Sequence, residues 1–304
     1  VALAGRTRDG KRWNEPLVGR TEKFAFKMEP WVAARPENLE DPGYDVTRFN
    51  LDHYRKAERL LRHCRERDIV VSLIFYVDGR DKGVDPFGKE RMGTDPAAIA
   101  AQVNYLRQIL NHVNPYTGVA LKDEPAIVFI ELVNEPWHHP EDLPGSIAYI
   151  NALTAVVRST GCQKLVFYNV SQDFRIGEAI RSSQAQGVTF GWYPTGLNSG
   201  HELEGNYLRT ADAFPDMLRP ELARLARIVY EFDSPDLRTA TMYPAMARTM
   251  RTVGTQFAAM FAYDMLGTAS RNLGWQTHYL NLVYTPRKAM SAIIAAEAMR
   301  RLPR

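Results

Sequence analysis

Two glutamates in this 304-residue chain could act together on one bond. Glu135 follows the apolar run "IVFIELVN" and stands between Asn134 and Pro136, and Glu231 lies near the end of "RIVYEF". A pair of facing carboxyls can hydrolyse a glycosidic bond in two steps, one attacking the anomeric carbon while the other protonates the departing oxygen. The two must then lie about 5 to 5.5 Å apart, which leaves no room for a water between them. The acid must keep its proton near neutral pH, which burial or its neighbour's negative charge achieves. The nucleophile must stay ionised, which favours nearby donors such as Tyr193. The amide of Asn134 can bond a sugar hydroxyl next to the reacting carbon, and Pro136 stops the strand. A second Asn-Glu-Pro, at residues 14 to 16, follows no strand pattern, so Glu15 is read as a loop residue.

The elements that must position the pair are legible from about residue 50. Short β-branched runs at 69–76, 126–134, 164–170, 187–192, 227–232 and 255–264 alternate with helical patterns at 51–67, 95–113 and 145–160. That alternation is the mark of βα units on a parallel sheet. A last helix is expected after Thr285 as cap and Pro286 at its first position, with a broad apolar stripe and arginines in its final turn. Helix-to-strand links are very short, at Asp68, Gly161 to Gln163, and Gly254, whereas strand-to-helix links are long, at 77–94, 193–216 and 265–284. Long loops gathered at the carboxyl ends of parallel strands are how a (β/α)₈ barrel builds a site. Residues 114–125 break the pattern as a long helix-to-strand link. An open doubly wound sheet fits less well, because no glycine-rich phosphate loop follows any strand. The fold class expected is therefore α/β, a single (β/α)₈ barrel domain over 1–304. Residues 1–49 form an irregular N-terminal segment in which "KFAFKM" (23–28) is the best further strand. The first barrel strand or two are either absent from this chain or without a readable pattern. If Glu135 closes strand four, Glu231 closes strand seven, across the mouth.

Composition narrows the function. The 38 basic and 35 acidic side chains are dispersed, net +3, which argues against a nucleic-acid surface. No run approaches the ~18 apolar residues of a membrane span and no signal peptide opens the chain, so a soluble protein without a membrane partner is expected. Cys64 and Cys162 read as two buried free thiols.

"AIVFIELVNEP" together with "IVYEFDSPD" resembles the acid/base and nucleophile strands of the clan A glycoside hydrolases, the cellulase and β-mannanase-like (β/α)₈ enzymes. "NPYTGVALKDEPAIVFIELVNEP" resembles the corresponding stretch of endo-β-mannanases, which accounts for the long 114–125 link, and the likeness covers roughly residues 44 to 301. The resemblance implies a retaining β-glycosidase without cofactor or metal, with Glu135 as acid/base and Glu231 as nucleophile. It also implies a β-linked oligo- or polysaccharide substrate such as β-mannan or β-glucan, and a secreted or periplasmic setting. Two departures stand out: the usual early-strand arginine has no identifiable equivalent, and the His-x-Tyr of strand six reads Gly191-Trp192-Tyr193.

Sugars present flat C–H faces ringed by hydroxyls, so Trp137, Trp192, Tyr193, Tyr263 and Trp275, all at strand ends or in the loops after them, are candidate substrate contacts with Asn134 and His138. Trp275 is the leading candidate for stacking. Asp233 and Asp236 read as turn formers, and Asp78 is open between loop structure and substrate contact. The 193–215 loop is long enough to wall or cover a cleft. Three rival readings are an exo-acting β-galactosidase-like enzyme, a metal-dependent barrel hydrolase using His138 or His139 with Asp264, and a sugar-binding barrel without chemistry.

Overall fold

The computed structural model describes residues 31–35, 43–74, 87–196, 203–235, 237, 239–261, 263, 280, 282, 283 and 285–302. The run at 23–28, Asp78, Asp236, Asp264 and Trp275 lie outside them. The described residues fall into two compact units, one within Phe26–Thr189 and one within Phe190–Arg304, so that the boundary falls inside one strand.

The first unit opens with an antiparallel pair, β1 (Trp31–Ala33) and β2 (Tyr44–Phe49). A helix and three βα units follow: α1 (Leu51–Arg65), β3 (Val71–Ile74), α2 (Pro96–Asn111), β4 (Ile127–Glu131), α3 (Leu143–Ser159), β5 (Leu165–Ser171) and α4 (Gly177–Ser182). β3 pairs parallel with β4, and β4 with β5, with Glu131 opposite Phe167. Ile127, Phe129, Ile130 and Glu131 of β4 are buried, as are Val166 through Val170 of β5. Consecutive strand residues point to opposite faces, so such runs require cover on both sides, as a parallel sheet lined by helices supplies.

β6 (Gly187–Trp192) is buried at every position and carries the boundary. The second unit continues with β7 (Ala226–Phe232), α5 (Met242–Thr252), β8 (Phe257–Met260) and α6 (Pro286–Arg301). β7 and β8 pair parallel, with an irregular register between Val229 and Phe232.

Capping sets where the helices begin. Asp95 accepts from Ala97 N–H at 2.8 Å ahead of Pro96 in α2, and Asp142 accepts from Gly145 N–H at 3.0 Å ahead of α3. A Cβ at Gly145 would lie 2.0 Å from the Asp142 carboxylate, so a side chain there would displace the capping group. Thr285 precedes α6 but makes no side-chain cap bond, and Met290, Ile293 and Ile294 of that helix are exposed. The residues of α6 that are buried are Lys288, Ala289, Ser291 and Ala295.

The short links turn on single left-handed residues, Asp68 (φ 52), Gly161 (φ 87) and Gly254 (φ 78). The long 114–125 link is a local hairpin in which Asn114 N–H donates to Val119 O and Leu121 N–H to His112 O. Charged side chains then stitch the amino ends of the strands, the face on which barrel residues serve stability. Lys164 donates to the carbonyls of Glu124 and Ile127 (2.8 and 2.7 Å), and Arg227 does the same for Val253 and Leu222 in the second unit. Cys64 and Cys162 are buried free thiols, as expected, and among the described residues no helix is long and apolar enough to cross a membrane.

Candidate active site

Pairing at the carboxyl end of β4 extends one residue past Glu131, where Leu132 N–H donates to Phe167 O at 3.0 Å. Leu132 and Val133 stay buried, Asn134 is half-buried, and the ladder has ended. The strand thus stops short of the expected Asn134. Glu135 then takes φ 43, in the left-handed region that costs a non-glycine residue about 1 kcal/mol. Its half-buried carboxyl accepts from the hydroxyl of Ser171, the last residue of β5, at 3.4 Å. Ser171 itself sits at φ 53. Together with Phe87, Lys89, Trp137 and Arg175 these residues wall an open cleft of about 720 Å³. Trp137 is 52% exposed there, a flat face free to meet a ligand.

At β7 the arrangement differs. Glu231 is a residue of the strand, half-buried, and its Oε1 accepts from the hydroxyl of Tyr230 at 3.2 Å. A side chain at Gly191 would meet Glu231 Cγ and Oε1 at 3.5 Å and Tyr193 at 3.6 Å, so the glycine leaves the two side chains room on that face. Behind them Asp233 is fully buried, accepting from Tyr243 O–H at 2.8 Å and from Ser234 N–H at 2.7 Å. Lys288, also buried, lies 5.3 Å from the centre of the Tyr243 ring.

No protein-family model matches the chain. Among curated proteins it is 24% identical over 155 residues to mannan endo-1,4-beta-mannosidase 3 of Arabidopsis thaliana, covering 50% of this chain and 37% of that protein. It is 25% identical over 210 residues to mannan endo-1,4-beta-mannosidase 7 of the same plant, covering 62% and 48%. The chain thus spans less than half the length of these relatives. Its structure superposes on the endo-1,4-beta-mannanase of Rhizomucor miehei with a TM-score of 0.62 at 17% identity, covering 82% of this chain and 77% of the other. In sequence the chain is similar to mannan endo-1,4-beta-mannosidases over about half to three fifths of its length. Its fold is that of the (β/α)₈ barrels. β1 and β2 pair antiparallel, so they are not the first two strands of such a barrel, and those strands are not among the described residues.

The other expected contacts separate into two groups. Tyr193 is half-buried beside Gly191, and Tyr263 is 49% exposed, bridged to Leu280. Trp192 is only 6% exposed and stacks on Phe214 at 5.0 Å, the packing of a core side chain. The paired histidines are turned to different carbonyls. His138 Nε2 donates to Val170 O at 3.2 Å, and His139 Nε2 to Glu90 O at 3.2 Å. Burial lowers the His138 pKa to about 4, so its ring is neutral at neutral pH. Asp233 forms its turn through Ser234 N–H, as the sequence suggested.

Three polar residues of these clusters carry no sequence signal. Ser171 and Tyr230 touch the glutamates, and Asn169 lies behind Ser171. Tyr230 is the least foreseeable, since neighbours along a regular strand point to opposite faces. The register irregularity between Val229 and Phe232 falls at this point, and such a bulge re-aims side chains.

Proposed function

We propose that the protein is a retaining β-glycoside hydrolase acting on β-mannan, with Glu231 as nucleophile and Glu135 as acid/base. In the first step Glu231 attacks the anomeric carbon, the bond to the departing oxygen breaks, and the Glu135 proton moves to that oxygen. In the second, Glu135 takes a proton from water, the water oxygen bonds to the anomeric carbon, and Glu231 leaves as carboxylate. One observation carries this reading. Half-buried glutamates stand at the carboxyl ends of β4 and β7 in a chain whose curated relatives are named mannan endo-1,4-beta-mannosidases. Asn134, immediately before Glu135, supplies an amide for the sugar hydroxyl beside the reacting carbon, and Trp137 offers a stacking face on the same side.

Incubation with a 2-deoxy-2-fluoro mannoside bearing a dinitrophenyl leaving group, followed by peptide mass spectrometry, tests the assignment. The expected adduct is on Glu231, and a label on another residue sinks it. A panel of mannan, glucan and galactoside substrates decides the sugar, with mannan expected to be turned over fastest.

A further inference from the structure

We infer that Glu131 and Asn169 are positioning residues for Glu135, acting through Ser171, an inference that rests on the acid/base reading of Glu135. Glu131 is the last residue of β4 and Asn169 lies on the adjacent strand β5, and both are fully buried. The other buried positions of β4 are Ile127, Phe129 and Ile130. An acid at such a place is costly to desolvate and adds less stability than an apolar side chain of its size, so its presence calls for a role.

The hydrogen bonds define that role. Asn169 Nδ2 can only donate, and it donates to Glu131 Oε1 at 2.7 Å. This fixes which way the amide faces. Its Oδ1 end is left to accept from Ser171 N–H at 2.5 Å, the turn-forming bond that asparagine makes with the backbone two residues on. The bond holds Ser171 in its left-handed conformation, and from there the Ser171 hydroxyl reaches Glu135 Oε1 at 3.4 Å. Glu135 is itself on an unfavourable backbone angle beyond the end of the ladder, so its carboxyl depends on side-chain supports for its aim. Small errors in the placement of a proton donor lower rate steeply.

The test is leaving-group dependence, which a purely structural residue does not alter. For aryl β-mannobiosides, kcat/KM is measured with phenyl and with 2,4-dinitrophenyl aglycones, the second of which departs without a proton. Ser171→Ala is expected to lower kcat/KM for the phenyl substrate about tenfold, through kcat and not KM, and to leave the dinitrophenyl substrate within about twofold. Ser171→Gly, which keeps the backbone angle at ease but also lacks the hydroxyl, should match it. Asn169→Asp, which turns an acceptor toward Glu131, should show the same selectivity more strongly, while Glu131→Gln, which retains an acceptor oxygen for Asn169, should stay near the parent. Should Asn169→Asp not fold, Asn169→Ser, which removes the amide's donor to Glu131, takes its place with the same selectivity expected, and equal losses on both aglycones, or none, for that variant overturn the inference. Equal losses on both aglycones, or none, for Ser171→Ala overturn the inference. Glu135→Ala measured alongside separates the causes. If it too loses both aglycones equally, the acid/base reading has failed and the inference with it. If it loses only the phenyl substrate while Ser171→Ala behaves as the parent, the positioning inference alone has failed.

Discussion

At the end of β4 the carboxyl is carried by a loop residue at φ 43, beyond the last rung of the ladder, whereas at the end of β7 it belongs to the strand itself. Glu231 inherits its placement from the pairing of β7 with β8, and a tyrosine hydroxyl on the neighbouring residue bonds it. Glu135 has no ladder to inherit from, and its supports are Ser171 and the buried amide and acid behind it. In a double displacement the nucleophile makes and breaks one bond to a fixed carbon, while the acid/base meets first a departing oxygen and then a water. In the roles proposed for Glu231 and Glu135, a rigid mount suits the first task, and a mount built from side chains at a loop suits the second.

The largest effect that sharpens this contrast is expected for Glu231→Ala. Turnover of every substrate should fall by roughly 10⁴-fold or more, whatever the leaving group, because in the proposed role the Glu231 carboxylate forms the covalent bond. Glu135→Ala should cost about 10²- to 10⁴-fold with an unactivated aglycone and far less with dinitrophenyl, measured as kcat/KM. Similar leaving-group profiles for the two variants would erase the distinction between the mounts.

Stability gives a second comparison. His138, behind the β4 end, has its pKa lowered to about 4 from 6.5 by burial. Below pH 6.5 the unfolded chain takes up a proton that the folded ring refuses until about pH 4, so stability should decline as pH falls through that window and level off beneath it. The loss at the bottom is up to about 3 kcal/mol. Urea unfolding between pH 4 and 7 checks this, and His138→Gln should flatten the slope. Behind the β7 end, Tyr243→Phe removes a donor from buried Asp233 and should lower stability by about 1 to 3 kcal/mol at neutral pH, seen as a reduced urea midpoint with unchanged slope. Trp137→Ala is expected to have the smallest effect. An exposed residue should change stability by no more than about 0.5 kcal/mol, while KM for oligosaccharides rises about tenfold if its face stacks on sugar.

The sequence by itself determined the order of βα elements, the short links at Asp68, Gly161 and Gly254, and the position of Glu135 after β4 and of Glu231 near the end of β7. Those signals are local, since strand runs, helical periodicity and turn residues depend on near neighbours in the chain. It overextended β4 to Asn134, because Leu132 and Val133 are buried without belonging to the ladder, and apolarity reports burial, not hydrogen bonding. It expected Trp192 in a cleft, and that ring is packed on Phe214, a partner 22 positions away that no spacing rule connects to it. It showed a broad apolar stripe on α6, yet the residues buried there are Lys288, Ala289, Ser291 and Ala295, while Met290, Ile293 and Ile294 are exposed. Only the tertiary structure brought Ser171 and Asn169 to Glu131 and Glu135, across 36 and 38 positions of chain, because a polar contact between neighbouring strands depends on register and backbone angle, which leave no periodic trace in either segment.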